Sequence, residues 1–101
     1  MDFQVFLSPE ALGDLERIAS YIALDDVTAA ERMGNHLLDC ALSLTVFPER
    51  GRIVPEFRRP HLREIVFRSY RIIYRVNSTD NSLEIARFWH AARGFPQIPR
   101  G

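Results

Sequence analysis

The chain has no lysine, so arginine supplies all 13 of its basic residues. It has one cysteine, Cys40, which excludes an intramolecular disulfide and fits a reducing compartment; inside an apolar helical pattern it reads as a small buried hydrophobe. The three histidines, His36, His61 and His90, share no ligand spacing with one another or with Cys40, so no metal site is expected. No Gly-rich phosphate loop and no paired-carboxylate constellation is present, and Ser8, Ser20, Ser43, Ser69, Ser78 and Ser82 lie in no nucleophile-elbow context. No cofactor is expected. No apolar run is long enough to cross a bilayer. Asp2 stands where a signal peptide would carry positive charge, and the Ser8-Pro9-Glu10 stretch interrupts the first apolar segment. The expected location is the cytoplasm, with no membrane partner.

What the chain does have is a separation of charge. Its 13 acids balance its 13 arginines, yet residues 1–49 carry nine acids against Arg17 and Arg32, while residues 50–101 carry eleven arginines against four acids. An excess of seven charges of each sign hints at an anionic partner for the second segment. The alternative is that the two segments neutralise each other internally. At 101 residues, 47% of them apolar, the composition is that of one folded domain, expected over residues 1–93 with a loose Pro- and Gly-bearing tail over 94–101.

Residues 3–7 are rich in strand formers. Ser8-Pro9 starts a helix, Ser8 as cap and Pro9 where its missing donor costs nothing, with Glu10 and Asp14 complementing the positive helix end. Leu12, Leu15, Ile18, Ala19 and Ile22 predict an amphipathic face to about Leu24. Asp25-Asp26 can cap a second helix over residues 27–46, with Ala30, Met33, Leu37, Ala41 and Leu44 inward and Leu38 and Leu42 widening the apolar face. Gly34 costs that helix about 1 kcal/mol against alanine, so a close approach of the two helices is expected there. Pro48 stops the helix. The period then changes to two, predicting strands over 63–67, 70–76 and 83–91 with short connections. The fold class is α+β, in the order β-α-α-β-β-β, an N-terminal helical hairpin packed on a small antiparallel sheet.

Strict alternation puts Tyr70, Ile72, Tyr74 and Val76 on the helix-covered face and Arg71, Ile73 and Arg75 on the other. On the last strand it groups Ile85, Arg87, Trp89 and Ala91 against Glu84, Ala86, Phe88 and His90. A basic open face of this kind suits phosphate or acidic side chains. The plainer alternative is a solvated face whose arginines pair with Glu64 and Glu84. His90 could act as a general acid or phosphate donor near neutral pH, although a lone strand histidine is more often structural.

In order along the chain, Leu7-Ser8-Pro9-Glu10-Ala11, Asp14-Leu15, Ile18-Ala19-Ser20-Tyr21-Ile22, Ala29-Ala30-Glu31-Arg32, Phe47-Pro48-Glu49-Arg50-Gly51-Arg52, Val54-Pro55-Glu56, Arg63-Glu64, Tyr70-Arg71-Ile72-Ile73-Tyr74-Arg75-Val76 and His90-Ala91-Ala92-Arg93 resemble the ParE/RelE superfamily of type II toxins, often labelled plasmid stabilisation proteins. The resemblance implies a growth-inhibiting toxin in a hetero-oligomer with a cognate ParD-like antitoxin, of ribbon-helix-helix type. ParE-like members are held to poison DNA gyrase, and RelE-like members to cleave mRNA on the ribosome. The missing lysines, and the absence of any tyrosine after Tyr74, make the chain look more like ParE, and a non-catalytic gyrase inhibitor is expected. Its target surface is expected at Arg63, Arg71, Arg75, Arg87, Trp89, His90 and Arg93, and its antitoxin surface at Leu38, Leu42, Arg71 and Arg75. On the alternative, a ribosome-dependent mRNA endoribonuclease, Glu56, Arg71 and His90 would supply base, phosphate clamp and acid.

Overall fold

A computed structural model describes residues 3–99. The elements run β1 (Gln4–Leu7), α1 (Pro9–Ala23), α2 (Val27–Ser43), β2 (Arg52–Ile53), β3 (Leu62–Phe67), β4 (Tyr70–Asn77) and β5 (Ser82–His90), followed by a 3-10 turn at Ala91–Arg93. Ser8 caps α1: its Oγ accepts from the Ala11 N–H at 3.0 Å and donates to the Ala86 carbonyl at 2.9 Å. One hydroxyl thus ends the first strand, starts the helix and ties both to β5. Asp26 caps α2 by accepting from the Ala29 N–H. The second helix stops at Ser43, a turn before the expected end, and residues 44–46 form a looser turn.

The sheet has five strands in the order β1-β5-β4-β3-β2. From β2 to β5 it is antiparallel, as expected for a meander, but β1 lies parallel to β5, so the sheet is mixed. The helical hairpin carries the chain across the sheet and returns it on the far side, where the two-residue β2 begins the meander.

The core is divided by the sheet. On the helix side Ala11, Leu37, Ala41, Leu44, Ile72, Tyr74, Leu83, Ile85 and Phe88 form one buried cluster. Leu37, Ile72 and Ile85 are fully buried, each contributing about 1.5–3 kcal/mol. On the opposite side Val54, Leu62, Ile73, Ala86 and Trp89 form a second cluster, flanked by Phe57 and Ile98. The β4 faces follow the expected alternation. Those of β5 do not: Ile73 pairs with Arg87 while Tyr74 pairs with Ile85, so Ala86 is an extra residue. This bulge reverses the alternation, which puts Ile85 and Phe88 together under the helices and moves Trp89 to the other cluster.

Two local expectations need correction. Leu12 is half exposed, while Asp14, expected to meet the helix dipole, is 2% exposed on the inward face. Gly34 is no point of close approach: a Cβ built there meets nothing within 4 Å, because the residue lines an open groove between α1 and α2. Residues 94–99, the described part of the expected tail, lie against the sheet. Pro96 is buried, Ile98 packs on the second cluster and Phe95 meets Phe57 edge-on at 5.3 Å. Arg100 and Gly101, the end of that tail, lie outside the described residues.

Candidate functional site

The arginines expected to form an open cationic face are largely engaged within the fold. Arg71 is 8% exposed, and its Nε donates to Glu64 Oε1 at 2.6 Å. Its two terminal nitrogens donate to Glu56 at 2.9 and 2.7 Å. The other oxygen of Glu64, itself 1% exposed, accepts from Arg52 Nε at 2.7 Å. Two carboxylates thus clamp one buried guanidinium, with Arg52 closing the chain at the surface. The forked bond from Arg71 holds the Glu56 carboxyl below the usual glutamate range, and the two carboxylates, Glu56 foremost, raise Arg71 further.

Arg87 is locked in the same way. Asp14 of α1 accepts from its Nε and Nη2 at 2.8 and 2.7 Å, from the Phe88 N–H at 3.0 Å and from Arg17 Nη2 at 2.7 Å. The Asp14 bond also raises Arg87. This carboxylate takes over the β5 backbone at the point where β1 no longer covers it, since the β1–β5 register ends at Leu7 with Ile85. Arg63 donates to the Gly51 carbonyl at 2.9 Å, and Arg75 pairs with Glu84 at 3.6 Å and with the Pro99 carbonyl. Pairing of the sheet arginines with Glu64 and Glu84, the plainer alternative, is what the structure contains, although Glu64 is buried and not solvated.

Trp89 and Arg93 do come together: the Arg93 guanidinium stacks over the indole at 3.8 Å, and Trp89 itself is buried. His90 lies elsewhere. Its Nδ1 accepts from the Ala92 N–H at 3.1 Å, its ring meets Tyr70 edge-on at 5.2 Å, and both border a cleft of about 320 Å³ with Arg17, Tyr21 and Arg93. Burial raises the Tyr70 hydroxyl above its usual range, with Tyr21 adding to the shift. Glu56 and Arg71 face away from the helices, whereas Tyr70 and His90 face α1, so the sheet separates the expected base and clamp from the expected acid. Leu42 is exposed on α2, and Leu38 lines the groove between the helices together with Leu15, Ala19 and Gly34. Neither shares a surface with the clamped Arg71.

The sequence reading missed Asp14, Arg17 and Tyr21. For Asp14 a signal existed: a carboxylate at helical spacing between Ala11 and Ile18 marks a charge in the inward stripe. Nothing local pointed to Tyr21, whose role depends on where α1 crosses the sheet.

Fold and site together define a two-layer α+β domain, with an acidic helical hairpin laid on an arginine-rich mixed sheet. The family model described as the ParE toxin of the type II toxin–antitoxin system parDE matches residues 5–95, and the chain belongs to this family. It is 41% identical to Toxin RelE2 of Caulobacter vibrioides over 91 residues, covering 89% of this chain and 97% of that one. It is 37% identical to Toxin RelE1 of the same organism over 93 residues, covering 89% and 95%. Two solved structures share the fold. One, titled as the chromosomal ParDE system from P. aeruginosa, has a TM-score of 0.71 at 18% identity and covers 87% of this chain and 95% of that one. The other, the toxin–antitoxin complex RelBE2 from Mycobacterium tuberculosis, has a TM-score of 0.68 at 19% identity and covers 89% and 99%. The chain is a toxin of a type II toxin–antitoxin system.

Proposed function

We propose that this toxin arrests growth by binding and blocking DNA gyrase and not by cleaving RNA, and that a cognate antitoxin neutralises it. The observation that carries the reading is the separation of Glu56 and Arg71 from His90 by the sheet. General acid–base cleavage needs both groups within hydrogen-bond reach of one phosphodiester, and Glu56 is further occupied by the forked Arg71 bond. The match to the ParE family model supports gyrase as the target. Arg93 and His90, which border one cleft, then present the target-facing surface with Trp89 buried beneath Arg93, while Leu38 and Leu42 offer apolar anchors to the antitoxin. Arg71 enters either interface only if Glu56 releases it.

The test adds purified toxin to a gyrase supercoiling reaction and to a coupled translation reaction in parallel. Supercoiling should fall and translation continue. His90→Gln should keep the inhibition and Arg93→Ala should weaken it. Two observations favour the RNA-cleaving reading: the cleft beside His90 carries Arg17, Tyr21, Tyr70 and Arg93, side chains suited to phosphate and base, and the two Caulobacter relatives bear the name RelE. On that reading His90→Gln lowers mRNA cleavage by about 10²-fold and supercoiling is untouched.

A further inference from the structure

Arg32 of α2 and Arg68 of the turn between β3 and β4 make no ion pair or hydrogen bond among the described residues, unlike the arginines of the sheet. His36 follows Arg32 by one helical turn and so shares its side of α2. These two guanidinium groups and the imidazole line one recess of about 160 Å³, completed by Ile22, Ala29 and Met33, and no acid borders it. The Phe67 ring mounts two of the three: His36 meets it edge-on at 5.5 Å, and the Arg68 guanidinium lies over it at 5.3 Å. Phe67 is itself packed on the helix-side core, so its ring is a fixed support. Arg68 has a φ of 54°, in the left-handed region that glycine adopts most readily. An arginine held there against its backbone preference points to a use for its side chain.

Pockets for drug-sized ligands start at about 300 Å³, so this recess admits only a small group. Forked guanidinium donors favour oxyanions with several equivalent oxygens. A phosphate monoester presents three such oxygens and close to two negative charges at neutral pH. The apolar walls displace water and strengthen each charged contact. We propose that Arg32, His36 and Arg68 form a binding site for a terminal phosphate group, the two guanidinium groups forking onto its oxygens and the imidazole donating one N–H. Free phosphate and a small phosphorylated metabolite share this chemistry. The site is separate from the Arg71 clamp and from the cleft beside His90, and it depends on neither gyrase nor ribosome as the target.

The test titrates the full chain in chloride buffer at pH 7 and constant ionic strength, following its amide NMR signals. The probes are inorganic phosphate, adenosine 5′-monophosphate and, as a diester without a terminal phosphate, adenosine 3′,5′-cyclic monophosphate. The first two should shift the signals of Arg32, His36 and Arg68 saturably, and the cyclic diester should bind at least about 10-fold more weakly. Tighter binding of the nucleotide than of inorganic phosphate supports the site and names a phosphorylated metabolite as its ligand; the reverse order supports it and names free phosphate. Arg32→Gln suits an exposed helical position, and Arg68→Gly suits the left-handed turn, so both keep the fold. Each should weaken phosphate binding by about 10-fold. Arg59→Gln removes the same charge from the turn before β3 and should leave the affinity unchanged. Equal binding of the cyclic diester and the monoester overturns the proposal, as does a loss in Arg59→Gln as large as in Arg68→Gly, because overall charge then accounts for the binding. So does the absence of saturation by both inorganic phosphate and the monoester.

Discussion

At Gly34 the space around a would-be side chain is empty, and at Gly51 it is full. A Cβ at Gly51 would lie 2.5 Å from the Glu64 carbonyl oxygen and 2.7 Å from the Tyr74 hydroxyl. Those atoms cannot retreat: Glu64 anchors the Arg71 clamp, and the Tyr74 hydroxyl accepts from the Gly51 N–H at 3.0 Å. Burial raises that hydroxyl's pKa while the Gly51 bond opposes the shift, so it stays neutral well above physiological pH. Gly51→Ala should therefore cost about 1–3 kcal/mol in urea denaturation, the usual penalty of overpacking. Gly34→Ala should gain about 1 kcal/mol, since the helix loses its glycine without any clash. An unchanged denaturation midpoint in both variants would show that the two sites are equally tolerant and that the packing around Gly51 is not restrictive.

Between elements, the contact with most at stake is the one from α1 to β5 through Asp14. Removing this carboxylate leaves Arg87 buried with only the Gln97 carbonyl, and strips the Phe88 N–H of its acceptor. Asp14→Ala should cost about 3–5 kcal/mol, the range for breaking a buried pair, and a loss below about 1 kcal/mol would show that water replaces it. The Glu56–Arg71 clamp is weaker and pH-dependent, because the Glu56 side chain is a quarter exposed. Its pKa is lowered in the folded state, so the contribution is complete above the ordinary glutamate range and lost as pH falls through the lowered value. Glu56→Gln should cost about 0.5–1 kcal/mol at pH 7 and progressively less as pH falls through the lowered Glu56 value. A difference that does not shrink on acidification would assign the effect to packing. The legibility of these elements follows from their locality. Caps and periodicity predict α1, α2 and β3–β5 to within a few residues, since Ser8, Pro9, Asp26 and Pro48 act on their own neighbours. The parallel β1–β5 pair, the bulge at Ala86 and the two-residue β2 depend on partners far along the chain. One extra residue at Ala86 sufficed to put Phe88 on the same face as Ile85, from which strict alternation separates it. The site suffered for the same reason. Alternation correctly put Arg71 opposite Tyr70, but no local pattern told that Glu56 would reach back from a turn to occupy it, or that the tail would cover Arg75.

Across the whole molecule, the two oppositely charged segments do not neutralise each other. Among the described residues Asp14–Arg87 is the one ion pair that joins them; the others lie within one segment, as Arg71 with Glu56 and Glu64. Glu10, Glu16, Asp25, Asp26, Glu31 and Asp39 stay exposed on the helices, and Arg50, Arg58, Arg59, Arg68 and Arg93 stay exposed after them. The molecule is therefore a dipole despite a sequence pI near 6.8. Such a field steers encounters and is screened beyond about 10 Å at 0.1 M salt. At pH 7 and low ionic strength the protein should bind a cation-exchange resin although its net charge is near zero. Arg58→Ser with Arg59→Ser, two adjacent exposed arginines on the turn before β3, should lower the eluting salt clearly while leaving the denaturation midpoint within about 0.5 kcal/mol. Arg32→Ser, on the acidic helical hairpin, should leave retention unchanged. If the wild type flows through at low salt, or if Arg32→Ser elutes as early as the double variant, the cationic side is too dispersed to act as one surface, and long-range attraction of an acidic partner fails with it.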